Sequence, residues 1–196
     1  MGSIRNKRKT QIKESVLNLI FRDGIHKLSM KNLANEIGIS EGTIYRYYPT
    51  KLNIIEDIIN DIKTELIKKL REIADRNEPA PNKLKKYICY TIEYLHSKKG
   101  LTLVLLTEAL YKNNIYLKKM LDKIYTFQKE YFINIVLDGI ITGVWDDDFD
   151  LDVLAYLYMG IPATLNIETI LKSESFDYKK RCDQLKKCIF KILEKK

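Results

Sequence analysis

Thr43 and Arg46 stand three residues apart in the stretch from Ser40 to Lys51, SEGTIYRYYPTK, which mixes small hydroxyls, cations and tyrosines. At helical spacing the two share a face, opposite Ile44 and Tyr48. Such a face offers recognition, not bond making. A guanidinium can bond guanine O6 and N7 together, a threonine can offer its methyl to thymine or its hydroxyl to several bases, and Gly42 lets the backbone come close to a groove wall. Ser29 and Ser40 can cap helices by accepting a backbone N–H and can also donate to phosphate oxygens.

Those groups are useful only if short helices hold them out. Met30, Leu33, Ala34 and Ile37 recur at i, i+3, i+4 and i+7, one buried stripe of a helix that starts after Ser29. Gly38 should end it, since glycine tolerates positive φ, Ile39 can plug the core, and Ser40 can cap the next helix. Helix, tight turn and capped helix is the helix-turn-helix pattern. Ile12, Val16, Leu19 and Ile20 form one face of an earlier helix that should pack across the other two. Residues 1–9 read either as a basic arm, with Lys7, Arg8 and Lys9 reaching a phosphate or minor groove, or as a solvated terminus.

From Ile12 through Leu52 the order of residues resembles the DNA-binding domain of tetracycline-repressor-like (TetR family) transcriptional regulators. The matching pieces are Arg22-Asp23-Gly24, Ser29 to Ala34, Gly38-Ile39-Ser40, Gly42 to Tyr45, and Tyr47 to Lys51. The resemblance implies that Tyr45 and Tyr47 bond phosphates, that Lys51 clamps the backbone and that Lys31 touches the operator. Tyr47 stands where histidine is frequent in the family, and Tyr48 at its usual aromatic core position. With Ser29, Ser40, Gly42, Thr43 and Arg46 these make the expected DNA-binding set.

Composition agrees with a polyanionic partner. The 196 residues carry 34 Lys and Arg against 26 Asp and Glu. Residues 1–51 hold ten basic and four acidic side chains, a net of +6, whereas 52–196 hold 24 and 22, a net of +2. Cations that neutralise phosphates release counterions and so supply affinity for any sequence. An apolar share of 45% suits a sizeable core. Cys89, Cys182 and Cys188 form no C-x-x-C pair, so they are expected as reduced core thiols. The amino terminus has no apolar signal region, and no uncharged apolar run reaches membrane-span length. The expected setting is cytoplasmic, without membrane.

The expected fold is all-α: a three-helix helix-turn-helix domain over 1–51, then a helical bundle over 52–196, with the fourth helix as connector. Leu52, Ile55, Ile59, Ile62, Leu66 and Ile73 mark that fourth helix, and Pro79 and Pro81 end it, with Asn82 as the next cap. Helices follow at about 83–97, 101–112, 115–142, 151–171 and 177–194, nine in all. The segment LTLVLLTEALYK is apolar nearly all round and should be central. The acidic run from Asp146 to Asp152 lacks the glycine and closing glutamate of a calcium loop, so Asp150 is read as a helix cap.

In the family an effector sits among helices 4 to 8. Here the resemblance offers Tyr90, Tyr94, Thr107, Tyr111, Tyr125, Gln128 and Trp145 as lining, although tyrosines at helical spacing also serve as ordinary core. It also implies a homodimer through the eighth and ninth helices, 151–171 and 177–194. Ligand binding would move helix 4 and spread the two reading heads. No nucleophile elbow, phosphate loop or metal cluster is present, so no enzyme and no cofactor are expected. The expected function is a ligand-responsive transcriptional regulator, a repressor released from a palindromic double-stranded DNA operator by a small, largely apolar effector. The alternative is an effector-independent or architectural DNA binder.

Overall fold

The computed structural model describes residues 2–98, 100–172 and 177–194, which form helices and connecting turns with no strand among them. The chain divides into two compact units, Met1–Asp61 and Ile62–Lys196. In the first, α1 (Gly2–Asp23) is followed by a 3-10 turn (Ile25–Lys27), α2 (Met30–Ile37), α3 (Glu41–Tyr45) and α4 (Lys51–Ile62). Ile12, Val16, Leu19 and Ile20 of α1 are buried, as are Leu33 and Ala34 of α2 and Ile44 of α3. Burying each large aliphatic side chain contributes roughly 1.5–3 kcal/mol, and this clustering holds α2 and α3, of 8 and 5 residues, which could not persist alone.

Two expectations for this unit are corrected. Residues 2–9 form the first turns of α1, not an arm. Nothing from Arg5 to Gln11 breaks a helix, and Lys9 finds Asp57 at 3.4 Å. The contact boundary falls ten residues beyond Lys51. Ile54, Ile55, Ile58 and Ile59 of α4 are buried, and Asp57 and Asp61 pair with Lys9 and Lys13, which draws most of α4 into the first unit.

The second unit holds one π-helical turn (Lys63–Ile67), α5 (Lys68–Ala74), α6 (Ala80–Lys98), α7 (Leu101–Tyr111), α8 (Ile115–Ile141), α9 (Leu151–Lys172) and α10 (Tyr178–Leu193). Helix α6 is its axis, packed against α5, α8, α9 and α10. It buries Leu84, Tyr87, Ile88 and Ile92. Lys83, itself buried, reaches Asp138 of α8 at 2.9 Å and the carbonyl of Ala74 at 3.2 Å, so its charge is paired and not stranded. Gly139 of α8 leaves room for the Trp145 ring, with which any Cβ would collide. Asp150 caps α9, its carboxylate accepting the Val153 N–H at 2.9 Å.

Three expectations for this unit are corrected. Asn82 lies inside the first turn of α6, because Pro79 supplies the carbonyl that starts the helix and Pro81 is tolerated there. Helix α7 buries Leu101, Leu105 and Ala109 but leaves Leu106, Leu110 and Tyr111 exposed, since only one side meets α8 and α9. Cys89 and Cys182 are not separate thiols: α6 and α10 bring them together as a disulfide, and Cys188 is exposed. The helix over 151–171 is by length and composition apolar enough to cross a membrane, but Asp152 and Glu168 interrupt it, so the expectation that no uncharged apolar run reaches that length stands; Leu154, Ala155, Tyr158 and Leu165 are buried within the unit.

Candidate nucleic-acid interface

Ser29 has extended backbone angles and its side chain accepts the Asn32 N–H, so α2 begins where its stripe begins. Gly38 takes the left-handed conformation (φ 73°, ψ 37°) and its N–H closes on Ala34 and Asn35. That turn costs a residue with a Cβ about 1 kcal/mol or more, and it aims the chain from one helix into the next. Ser40 then caps α3 by accepting the Thr43 N–H at 3.2 Å, and its hydroxyl lies 2.9 Å from that of Thr43.

Below this surface Ile44 is fully buried and Tyr48 is 2% exposed. The anchored side dictates the free one: Gly42, Tyr45 and Arg46 are exposed and Thr43 is half-buried. Arg46 forms the carboxyl-terminal cap of the five-residue α3 and makes no ion pair among the described residues. An uncompensated guanidinium beside a threonine on the outer face can contact base edges. Lys31 on α2 is exposed. Tyr47 is half-buried on the rim of a cleft of about 300 Å³ shared with Lys9, Glu56 and Asp57. Lys51 opens α4, whose first turn is capped by Thr50 accepting the Asn53 N–H.

Two networks missing from the sequence reading hold this surface still. Arg22 reaches Glu36 at 2.8 Å and Asp23 at 3.0 Å, tying the end of α1 to α2. These hydrogen bonds raise the arginine pKa and lower those of Glu36 and Asp23. In the second network Asp57 accepts from the Tyr48 hydroxyl at 2.5 Å and from Lys9 at 3.4 Å, while Lys13 pairs with Asp61 at 2.5 Å. Partial burial opposes ionisation of Asp57, but the tyrosine hydrogen bond and the two lysines outweigh it, so its pKa is lowered. Burial, followed by the bond to Asp57, pushes the Tyr48 phenol up. The chain shows only matching spacings, Lys9 and Lys13 four apart on α1 and Asp57 and Asp61 four apart on α4; that the two pairs meet is decided by packing.

The residues proposed for an effector are scattered. Tyr111 is 83% exposed, Tyr125 is 44% exposed, and Thr107 is exposed with its hydroxyl bonded to the Val104 carbonyl. Trp145 is buried with its edge on Phe190, the ring centres 6.1 Å apart. Tyr90 donates to the Glu65 carbonyl at 3.0 Å, and its ring lies 6.4 Å from that of Tyr94. The seven therefore do not form one wall, because periodicity could not tell the outer side of α7 from the inner. A buried polar and aromatic cluster forms instead around Gln128. Tyr87 donates to the Gln128 carbonyl at 2.6 Å, Tyr158 donates to Thr91 at 3.1 Å, and Phe132 stacks on Tyr158 at 4.1 Å. The Gln128 amide nitrogen is buried without a hydrogen-bond partner among the described residues.

Known proteins place this geometry in context. Residues 15–58 match the profile of bacterial regulatory proteins of the tetR family. Over 131 residues the chain is 30% identical to nucleoid occlusion factor SlmA of Haemophilus ducreyi, covering 66% of this chain and 64% of that protein. The chain thus spans a little less than two thirds of the curated relatives it matches. In fold it is similar to the ketosteroid transcriptional regulator KstR2 of Mycobacterium tuberculosis, with a TM-score of 0.81 at 14% identity over 96% of both chains. It is also similar to the transcriptional regulator FadR of Bacillus subtilis in complex with stearoyl-CoA, with a TM-score of 0.73 at 20% identity, covering 92% of this chain and 96% of that one. Sequence match and fold meet on the capped α2–α3 turn, and the protein belongs to the tetR family of DNA-binding bacterial regulators.

Proposed function

We propose that this protein is a homodimeric, effector-responsive repressor that reads a pseudo-palindromic operator through Thr43 and Arg46. The observation that carries the reading is the outward placement of these two groups over a fully buried Ile44. Gly42 gives close approach, while Ser29, Lys31, Ser40, Tyr45, Tyr47 and Lys51 supply contacts to the phosphate backbone. Pairing would use α9 and α10. Val153, Tyr156, Leu157, Ile167 and Leu171 make an exposed apolar stripe along α9, and a Cβ on Gly160 would meet nothing. Such a stripe is what a self-complementary helix pair buries.

For the effector, the cluster of Tyr87, Thr91, Gln128 and Tyr158 offers buried polar groups within an aromatic surround, suited to a largely apolar molecule carrying one hydrogen-bond acceptor. KstR2 is a ketosteroid regulator and FadR was solved with stearoyl-CoA, which is in keeping with that chemistry. Release would require the effector to favour the state with low operator affinity by about 1–3 kcal/mol. The protein would act in the cytoplasm, where the operator lies.

Binding-site selection from random duplexes with the purified protein tests the reading. The expected outcome is an inverted repeat with half-sites about 34–36 Å apart; enrichment of no sequence sinks it. A second reading, an effector-independent DNA binder, is favoured by the similarity to SlmA, a nucleoid occlusion factor. Operator affinity that no extracted small molecule alters would select that reading.

A further inference from the structure

The second unit holds a basic site of its own, between the first turns of α6 and the last turns of α10. Asn82 and Lys85 of α6 face Lys187, Phe190 and Lys191 of α10, and Glu194 just beyond it, across a cleft of about 480 Å³. Lys187 and Lys191 are four apart, so they share one side of their helix, and Lys85 meets them from the other wall. These three lysines make no ion pair among the described residues. The nearby carboxylates leave them uncompensated: Asp183 is engaged by Lys186 at 2.8 Å, and Glu194 is a single charge among the cleft's cations. The pKa of Asp183 is lowered, first by its bond to Lys186 and further by the field of Lys187 and Lys85.

Convergent cations of this kind repel one another, and a multiply charged anion relieves the repulsion. The floor adds a second specification. Phe190 is half-buried and lines the cleft together with Pro81, so apolar surface sits among the charges. Asn82 contributes an amide that donates and accepts. The concavity favours a small molecule over a duplex, since its volume falls within the range of about 300–1,000 Å³ typical of small-ligand sites, whereas the backbone of DNA is met by exposed ridges such as α3.

We propose that this cleft binds a small phosphate-bearing molecule with a planar apolar group, of the nucleoside diphosphate class. The phosphates take Lys85, Lys187 and Lys191, and the planar group lies on Phe190. The site is distinct from the reader and from the Gln128 cluster, and it holds whether or not the protein answers to an apolar effector.

The chain contains its own reporter. Trp145, the single tryptophan, has its ring at 84° to that of Phe190. Titration of the full-length protein with ADP at low ionic strength, followed by Trp145 emission and by calorimetry, should give saturable binding that pyrophosphate competes away. The double variant K187A/K191A should weaken ADP binding by about tenfold or more, K187R/K191R should retain it, and K118A, on α8, should match the native protein. Circular dichroism checks that the variants fold, which removal of exposed lysines should not affect. Absence of saturable ADP binding overturns the proposal, as does binding that K187A/K191A leaves unchanged. If that double variant instead weakens duplex DNA while the native protein ignores ADP, the patch serves nucleic acid and the proposal is wrong.

Discussion

The two units treat their surfaces in opposite ways. In residues 2–61 the exposed large apolar side chains are Phe21, Tyr45 and Leu52 alone among those described, whereas residues 62–194 expose sixteen, from Leu106 to Ile192. The first unit holds its outer side chains with charge networks: Arg22 with Glu36 and Asp23, and Asp57 with Lys9 and Tyr48. The second leaves an aliphatic and aromatic stripe along α9 in water. A surface rich in cations and hydroxyls suits a polyanion, which is itself hydrated. An ordered apolar stripe suits another protein surface, because only there does removing it from water stabilise. The contrast is in keeping with the proposed division of labour, one unit to read and the other to pair.

The sharpest way to break this contrast is to charge the stripe. Replacing Leu157 and Leu171 together by glutamate should leave a folded monomer and lower operator affinity about 100-fold or more, since two linked half-site contacts become one. Sedimentation and gel-shift titration would check both, and a dimer surviving the change would move the interface elsewhere. Within the second unit, Gly139→Ala should lower stability by about 1–3 kcal/mol, because the new Cβ and the Trp145 ring cannot share their space; thermal unfolding monitored by tryptophan emission measures it.

On the reading side, Arg46→Ala should reduce operator binding by about 1–3 kcal/mol and relax preference at one base pair per half-site. Retained preference would remove Arg46 from the base-reading set. Asp57→Asn tests the network beneath. The folded-state pKa of Asp57 is lowered, so its contribution is fully present above the ordinary carboxylate range near 3.9 and lost as pH falls through the depressed value. The variant should therefore lose about 1 kcal/mol at neutral pH and show a shallower acid transition below about pH 4. Smallest of all, Lys31→Ala should weaken every duplex alike and reduce the salt slope by about one.

Much of the first unit was legible because its signals are local. The stripe from Met30 to Ile37, the positive-φ glycine at 38 and the cap at Ser40 depend on residues within a turn of one another. The outward direction of Thr43 and Arg46 follows once Ile44 is placed inside. The helices of the second unit were legible for the same reason, with α6 to α10 within a few residues of their expected limits. The effector residues were not. Tyr111 and Tyr87 look alike in one dimension, yet one is 83% exposed and the other fully buried. Which tyrosine a neighbouring helix covers depends on how that helix is rotated and where it crosses, and neither is written in a 3.6-residue period.

Left to itself, the amino-acid order determined the helices, their caps, the turn that builds the reader and the concentration of positive charge ahead of residue 52, since each of these is settled by neighbours in the chain. Tertiary structure alone decided that Cys89 meets Cys182 across 93 residues, that Lys9 and Lys13 find Asp57 and Asp61, and that α6 and α10 close a lysine-lined cleft. The reason is physical: such contacts join residues whose separation along the chain carries no information about distance until the helices pack, and packing is a cooperative outcome of the whole apolar surface and not of any one segment.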